Sequence, residues 1–392
     1  MYTSMFRKAM LGDTATLNLD FTTGTLDSRL TFTRSGTGTY INSSGYVTTA
    51  STNVARFDYD PATLAPRGLL IEGQATNLIK GSQTIAGTEW SASNPAFTVT
   101  ANSTDLVAPN NTNTATKLEY VSGYARAVQT NITVAASTTY TISYWIKSTG
   151  VCYWKIYDAS NGSFIVENVA IAASANWQRV TRTFTTPAGC TSIWAYVADS
   201  ATSGIYYVWG AQLEAGSGAS SYISTTASQA TRNADSCIMS NISSLSYSTT
   251  NGSMVYHGRF SKINSASYPT RMGFLTNAGG DPAFEIFTNA TTIFSGIRST
   301  AANNEITQTI AINTDYKFAT AFNASAASQV RCSLNGAAAV GSSTSALTDT
   351  RTPTVFGFTR SGYELYFPCG TIKAAKYYNT TLTDAELVSQ ST

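Results

Sequence analysis

The sequence predicts an all-β protein built around two separate cores, and three observations predict it. Short apolar alternations recur between clusters of Gly, Asn, Ser and Asp, as strands joined by turns require. Few windows carry the 3.6-residue stripe of an amphipathic helix. The six tryptophans (Trp90, Trp145, Trp154, Trp177, Trp194 and Trp209) are confined to the middle of the chain, and only Phe and Tyr are left to pack the C-terminal part. A chain of 392 residues suits two or three domains. Its 43% hydrophobic and 11% aromatic content supplies packed cores despite the abundance of Ser, Thr and Asn.

Taken in chain order, residues 1–80 are Thr- and Gly-rich with irregular spacing and read as an extended N-terminal segment. Arg7 and Lys8 precede no apolar run, so no secretory leader is expected, and no later stretch has the length of a membrane span. Residues 81–228 form the first core domain. Its clearest strand alternates Tyr140, Ile142, Tyr144 and Ile146 on one face with Thr141, Ser143, Trp145 and Lys147 on the other, and the first face is core. Further on, Ile193, Ala195 and Val197 alternate with Trp194 and Tyr196, which leaves open which row faces inward. The Gly- and Ser-rich residues 214–221, with residues 224–235, read as a connector and place a break near residue 230. Residues 229–392 form the second core domain. There Val330, Cys332 and Leu334 alternate into Asn335 and Gly336, a pair suited to a type I′ hairpin turn. At the end, Thr383 and Glu386 have the spacing of a helix capping box.

Composition removes several functional classes. Twenty-four Lys and Arg against 22 Asp and Glu leave a net charge of +2, with no field directed at nucleic acid or anionic lipid. His257 is the only histidine, so a zinc centre with two histidines is impossible. It lies opposite the Met254, Tyr256 and Phe260 face of a strand and reads as a hydrogen-bonded or solvent-facing side chain. Cys152, Cys190, Cys237, Cys332 and Cys369 are odd in number and lack C-x-x-C spacing, which points to reduced, buried thiols. No cofactor and no clustered metal site is expected; calcium held by loop carbonyls is the one case this composition leaves open. The Asn-x-Ser/Thr triplets at Asn42 and Asn131 match chance in so polar a chain.

Three stretches resemble known modules. The pattern Leu19-Asp20-Phe21, Thr31 to Arg34, Arg56 to Asp60, Arg67 to Glu72 and Thr76-Asn77-Leu78 resembles a leader of bacteriophage tail and other virion proteins. Residues 176–184 and 206–216, with the Tyr140 strand, resemble the jelly-roll carbohydrate-binding modules found beside glycosidases and in phage fibres. Residues 314–336, 369–379 and 382–387 resemble a concanavalin A-like, laminin-G-type sandwich and its closing strand and helix. The resemblance implies two β-sandwich (jelly-roll) domains after an attachment segment. It further implies a virion protein exposed on the particle surface, either a tail fibre or spike or a head fibre, that adheres to host-surface glycans. The competing expectation is a capsid decoration or tail connector that binds only other virion subunits. A homo-oligomer, with a trimer favoured, is what such a protein implies.

Concanavalin-like sandwiches include retaining glycosidases, whose two carboxyl groups stand roughly 5 to 5.5 Å apart. The strand signature E-x-D-x-x-E of such sites is missing from residues 236–392. Asp281 and Glu285 flank Pro282 and read as solvated turn residues, so no enzyme is expected. Binding needs less machinery: a pyranose ring offers an apolar C–H face that a flat aromatic ring can meet, with polar groups at the rim. Trp145, on the polar face of its strand, is the first candidate platform, and Trp194 and Tyr196 are the next. The alternative for all three is packing in a core or a subunit interface. Trp90, Trp177 and Trp209 fall in the stretches that carry the fold and are assigned to cores.

Overall fold

The computed structural model describes residues 15–92, 97–120, 125–200, 203–248, 250–262, 270–276, 282–289, 292–298, 303–323, 330–342, 355–358 and 369–392. Their regular secondary structure is almost entirely strand, with one α-helix, Asp384–Gln390, among the described residues. They fall into two units that interleave along the chain. One comprises residues 1–34, 53–73 and 234–392, and the other residues 35–52 and 74–233. The sequence reading divides the chain into consecutive stretches 1–80, 81–228 and 229–392, and here the structure differs. Short strands of the first 80 residues complete sheets whose other strands lie far along the chain. Leu17–Asp20 pairs with Cys369–Tyr378, and Thr31–Thr33 pairs with Ser236–Met239. Pairing over such separations leaves no local periodicity to read.

The unit containing the chain's end has two antiparallel sheets. One runs, in spatial order, Val340–Ser342, Val330–Leu334, Asp315–Asn323, Asn251–Lys262, Cys369–Tyr378, Pro66–Ile71 and Arg56–Tyr59, with Leu17–Asp20 also on the Cys369 strand. The other runs Thr31–Thr33, Ser236–Met239, Val355–Gly357, Thr270–Thr276, Pro282–Asn289, Thr292–Arg298 and Asn303–Thr309. Leu17, Leu19, Met254, Tyr256, Phe318, Phe322 and Tyr377 of the first sheet meet Cys237, Ile286, Ile293 and Phe356 of the second in one core. Asn335 and Gly336 have φ of 49° and 74°, as a type I′ turn requires. The Thr383–Glu386 capping box forms, and Leu387 seats the helix on Val255, Ala319 and Tyr378.

A buried ion network explains much of the leading pattern. Arg56 reaches Glu72 at 2.8 Å and Asp235 at 2.5 Å, and Arg34 reaches Asp235 at 3.2 Å, all four side chains being essentially without solvent. The Glu72 backbone N–H also donates to Asp235, at 2.8 Å. Burial disfavours charge on Arg56, but Asp235 and Glu72 together hold its pKa above the ordinary value. Two positive and two negative groups cancel. Losing one partner of such a network typically costs about 3–5 kcal/mol. Arg34, Glu72 and Asp235 lie within two residues of points where the chain leaves or re-enters this unit, so the network pins the strand ends that the fold depends on.

The second unit is a sandwich of two five-stranded sheets. The first runs Ser174–Thr185, Thr139–Ser148, Gly204–Ala215, Thr116–Tyr120 and Phe97–Thr100; the second runs Ser163–Ile171, Cys152–Asp158, Ser192–Ser200, Ala125–Thr133 and Ser91–Ala92. Tyr140, Ile142, Tyr144 and Ile146 of the first meet Trp154, Ile156, Ile193, Ala195 and Val197 of the second. The aliphatic row of the Ile193 strand therefore faces inward and sends Trp194 and Tyr196 outward. Asn77 is enclosed here: its amide donates to the Ala211 and Ile223 carbonyls and its oxygen accepts from the Ile79 and Leu213 N–H groups. Residues read as a connector are likewise packed, since Glu214 accepts from the Ser220 N–H and the Thr225 N–H donates to Ser82 Oγ. All six tryptophans belong to this unit.

Candidate functional site

The outward faces of this sandwich hold the three residues that sequence reasoning selected, and they meet different fates. Trp145 leaves its strand away from the core, as its alternation requires, yet only 6% of it is exposed. The hairpin Gly38–Ile41 and Val47–Ala50 and the segment around Ala108 and Ala115 cover it. Val47, Ala108, Ala115, Trp209 and Tyr222 share one apolar cluster with it, and the Val47 N–H donates to the Pro109 carbonyl at 2.8 Å. Its ring meets Trp209 at 5.2 Å and Tyr222 at 5.8 Å, while the Arg179 guanidinium lies 4.4 Å from its centroid. Gly210, with φ +67°, lets the neighbouring strand approach, because a Cβ there would come within 2.8 Å of the Trp145 ring. Trp145 is therefore a packing residue and not an open platform. Trp209 and Trp177 join it, their indole N–H groups donating to Thr114 Oγ1 and to the Val107 carbonyl, each at 3.0 Å. Trp90 lies in the sandwich core.

The second sheet carries an outward face that is uncovered at one end. Cys152, Trp154 and Ile156 point inward, so Tyr153, Lys155 and Tyr157 point outward. Register places Tyr157 between Trp194 on one neighbouring strand and Phe164 on the other. The three rings form a row: Phe164 to Tyr157 is 5.1 Å between centroids, and Tyr157 to Trp194 is 5.0 Å. At a strand spacing of about 4.8 Å the row spans about 10 Å. Phe164 is 41% exposed, and Tyr157 and Trp194 are partly exposed. Tyr196, the third candidate, stands beside Lys155 and 6.3 Å from Phe164 but is only 3% exposed, so it flanks the row and offers no face of its own.

The surroundings fix these rings. Asp158, next to Tyr157, accepts from the Ser160 and Asn161 N–H groups and from the Asn161 amide, a turn that returns the chain so that Phe164 lands opposite Tyr157. Lys155 pairs with Asp199 at 2.9 Å beside the row. Sequence reasoning missed Tyr157 and Phe164. The signal for Tyr157 was present in the alternation of Tyr153, Lys155 and Tyr157 against Trp154 and Ile156; Phe164 joins it only through pairing across a turn.

The row is suited to stacking on flat apolar surfaces. Among the described residues no group of three or more His, Cys, Asp or Glu side chains is arranged to hold a metal ion. Cys152, Cys190, Cys237 and Cys332 are buried free thiols, and burial pushes those of Cys152, Cys237 and Cys332 up to about 12. Asp281, the side chain of Glu285 and the side chain of Cys369 lie outside the described residues. No helix among the described residues is long and apolar enough to cross a membrane.

No family model matches the chain, and no curated protein matches it. Among solved structures it shows partial likeness to the enzymatically active domain of tailspike protein 4 of bacteriophage CBA120, at 18% identity and a TM-score of 0.29 over 35% of this chain and 20% of that one. The sialyllactose-bound carbohydrate-binding module (CBM40) of Ruminococcus gnavus IT-sialidase gives 18% identity and a TM-score of 0.30 over 36% of this chain and 81% of that one. The binding domain of botulinum neurotoxin DC, solved with rat synaptotagmin II, gives 10% identity and a TM-score of 0.31, covering 40% and 39%.

Proposed function

We propose that this chain is a non-catalytic adhesion protein that binds surface saccharides through the Phe164, Tyr157 and Trp194 row. The observation that carries the reading is the row itself: three rings in mutual contact, spread over three strands, on a sheet face left open. Sugar C–H faces stack on such rings, and a rigid sheet holds them without an ordering cost at binding. Single contacts of this kind give about −4 kcal/mol, a millimolar affinity, and display of many copies raises it. The setting that fits is a bacteriophage particle, as a tail fibre, spike or head fibre on the virion surface, assembled in the host cytoplasm as a homo-oligomer, with a trimer favoured. The attachment role of residues 1–80 belongs to the same reading, with part of that stretch also completing the two folds.

A capsid decoration or tail connector is the second reading. It is favoured by Val169, 37% exposed and five residues along from Phe164 on the edge strand Ser163–Ile171, since an apolar edge suits a protein partner. Multivalent display of the full chain on a glycan array and on bacterial cells separates the two. Binding that disappears in Trp194→Ala supports adhesion. No binding at any valency, with retained incorporation into particles, overturns it in favour of the structural role.

A further inference from the structure

The opposite sheet of the same sandwich carries a cleft that the aromatic row does not use. It has a volume of about 450 Å³ and opens where the strands Thr139–Ser148, Ser174–Thr185 and Gly204–Ala215 end together. That is within the size of small-molecule sites. Ile205, Ala173 and Ala175 give it apolar walls, and Tyr207 and Lys147 face each other as directly paired residues on its floor. The hydroxyls at its rim already serve the backbone: Thr149 Oγ1 accepts from the Ile205 N–H, and Ser174 Oγ donates to the Asn176 carbonyl. The Tyr207 hydroxyl donates to Asp105 at 2.9 Å, which leaves its ring, not its proton, for a ligand.

Lys147 is the exception. Among the described residues it takes part in no ion pair, whereas Lys117, on the strand beside Tyr207, is held by both Asp105 and Glu119 at 3.2 Å. Tyr207 and Lys117 also keep the Asp105 carboxyl below its usual range, so that acid stays charged and engaged with them. The cleft thus presents one uncommitted ammonium with three donors, one aromatic face and apolar walls. A ligand that fits must bring an anionic acceptor on a compact body with an apolar face. We propose that this cleft is a subsite for a carboxylated monosaccharide, with the Lys147 ammonium holding the carboxylate and the Tyr207 ring carrying the C–H face of the sugar. A carboxylate is favoured over a bare inorganic anion because most of the wall is apolar and would remain unfilled.

The test uses the full chain with its lysines reductively ¹³C-methylated, which keeps their charge, and assigns the Lys147 signal by its disappearance in Lys147→Gln. Sodium glucuronate is expected to shift that signal saturably in the millimolar range, with glucose and inorganic phosphate much weaker. Calorimetry on unmodified protein should show glucuronate affinity falling by about fivefold or more in Lys147→Gln, since a charge-assisted contact is lost. Ala173→Trp, which fills the cleft and keeps the lysine in the sequence, should abolish the glucuronate shift of the Lys147 signal. In the Trp194→Ala chain the Lys147 signal should still shift with glucuronate at the same concentrations, which separates this subsite from the aromatic row. An unmoved Lys147 signal, full affinity in Lys147→Gln, or phosphate competing as well as glucuronate would overturn the assignment.

Discussion

The two outward faces of the tryptophan-rich sandwich carry the same kind of sequence and end in opposite states. Trp145 shares its strand face with Ser143 and Lys147, and Tyr157 shares its face with Lys155 and Tyr153. On the first sheet, segments from residues 38–50 and around residues 108–115 close over Trp145 and Trp209. On the second, Phe164, Tyr157 and Trp194 keep part of their surface in water. What separates a covered ring from an open one is the presence of covering segments drawn from elsewhere in the sequence. Alternation decides which face of a sheet a ring joins, and it is silent about what lies on that face.

Removing the covered ring should have the largest effect. Trp145→Ala deletes a fully packed indole that touches Trp209, Tyr222 and Arg179, and such a deletion typically costs about 3–5 kcal/mol. Chemical denaturation followed by tryptophan emission should show the midpoint fall accordingly. A loss under about 1 kcal/mol would mean the covering segments do not seal that face.

Trp194→Ala should do the reverse. The ring is partly exposed and borders Tyr157, so the stability change should stay within about 1 kcal/mol. Saccharide binding per site should weaken about tenfold, roughly 1.4 kcal/mol. Surface plasmon resonance on immobilised host polysaccharide, run beside the denaturation curve, reads both quantities. A variant that loses stability as Trp145→Ala does, with binding intact, would exchange the roles of the two faces.

The difference between the faces also shows what the chain's local patterns hold and what they do not. The all-β class, the inward row Tyr140 to Ile146, the Asn335-Gly336 turn and the Thr383 capping box are short-range features, and each lies in the residues that form it. The aliphatic row Ile193, Ala195 and Val197 turned Trp194 outward, which period-two geometry allows but cannot choose by itself. Trp145 failed as a platform because part of its cover comes from the leading residues, which looked too loosely patterned to pack. Arg34, Arg56 and Glu72 stood out as part of a recurring pattern, but their meaning depends on Asp235, which no spacing connects to them. Tyr157 and Phe164 become neighbours only when a turn sets their register.

A smaller probe of the covered face is Tyr222→Phe. The Tyr222 hydroxyl shares a 2.6 Å hydrogen bond with Ser82 Oγ, which also donates to the Thr225 carbonyl and accepts from the Thr225 N–H. The serine keeps partners when the phenol is lost, so the cost should be near the net value of one hydrogen bond, about 1 kcal/mol. A cost as large as that of Trp145→Ala, read in the same denaturation experiment, would show the cluster to be held by this polar contact and not by ring packing.

The smallest expected effect uses the fact that tryptophan emission reports only the sandwich that holds both faces. His257 belongs to the other unit, opposite Lys317 on one neighbouring strand and Ala374 on the other. Burial, then the charges of Lys373 and Lys317, push its pKa down to about 4, against a smaller opposite pull from Asp315. Unfolded, the same side chain titrates near 6.5. Above that pH it is neutral in both states and contributes nothing. As pH falls from about 6.5 to about 4, the unfolded chain binds a proton that the folded chain refuses, so stability declines across that window and levels off below it. Solvent reaches part of the ring and keeps the decline modest. His257→Gln should flatten this part of the slope in unfolding followed by far-ultraviolet circular dichroism, which reads both units. The tryptophan-monitored transition and saccharide binding at Trp194 should not respond to the substitution. If the slope instead appears in the tryptophan signal and vanishes there with His257→Gln, the two units unfold as one. The contrast between covered and open faces would then have to be measured against the stability of the whole chain.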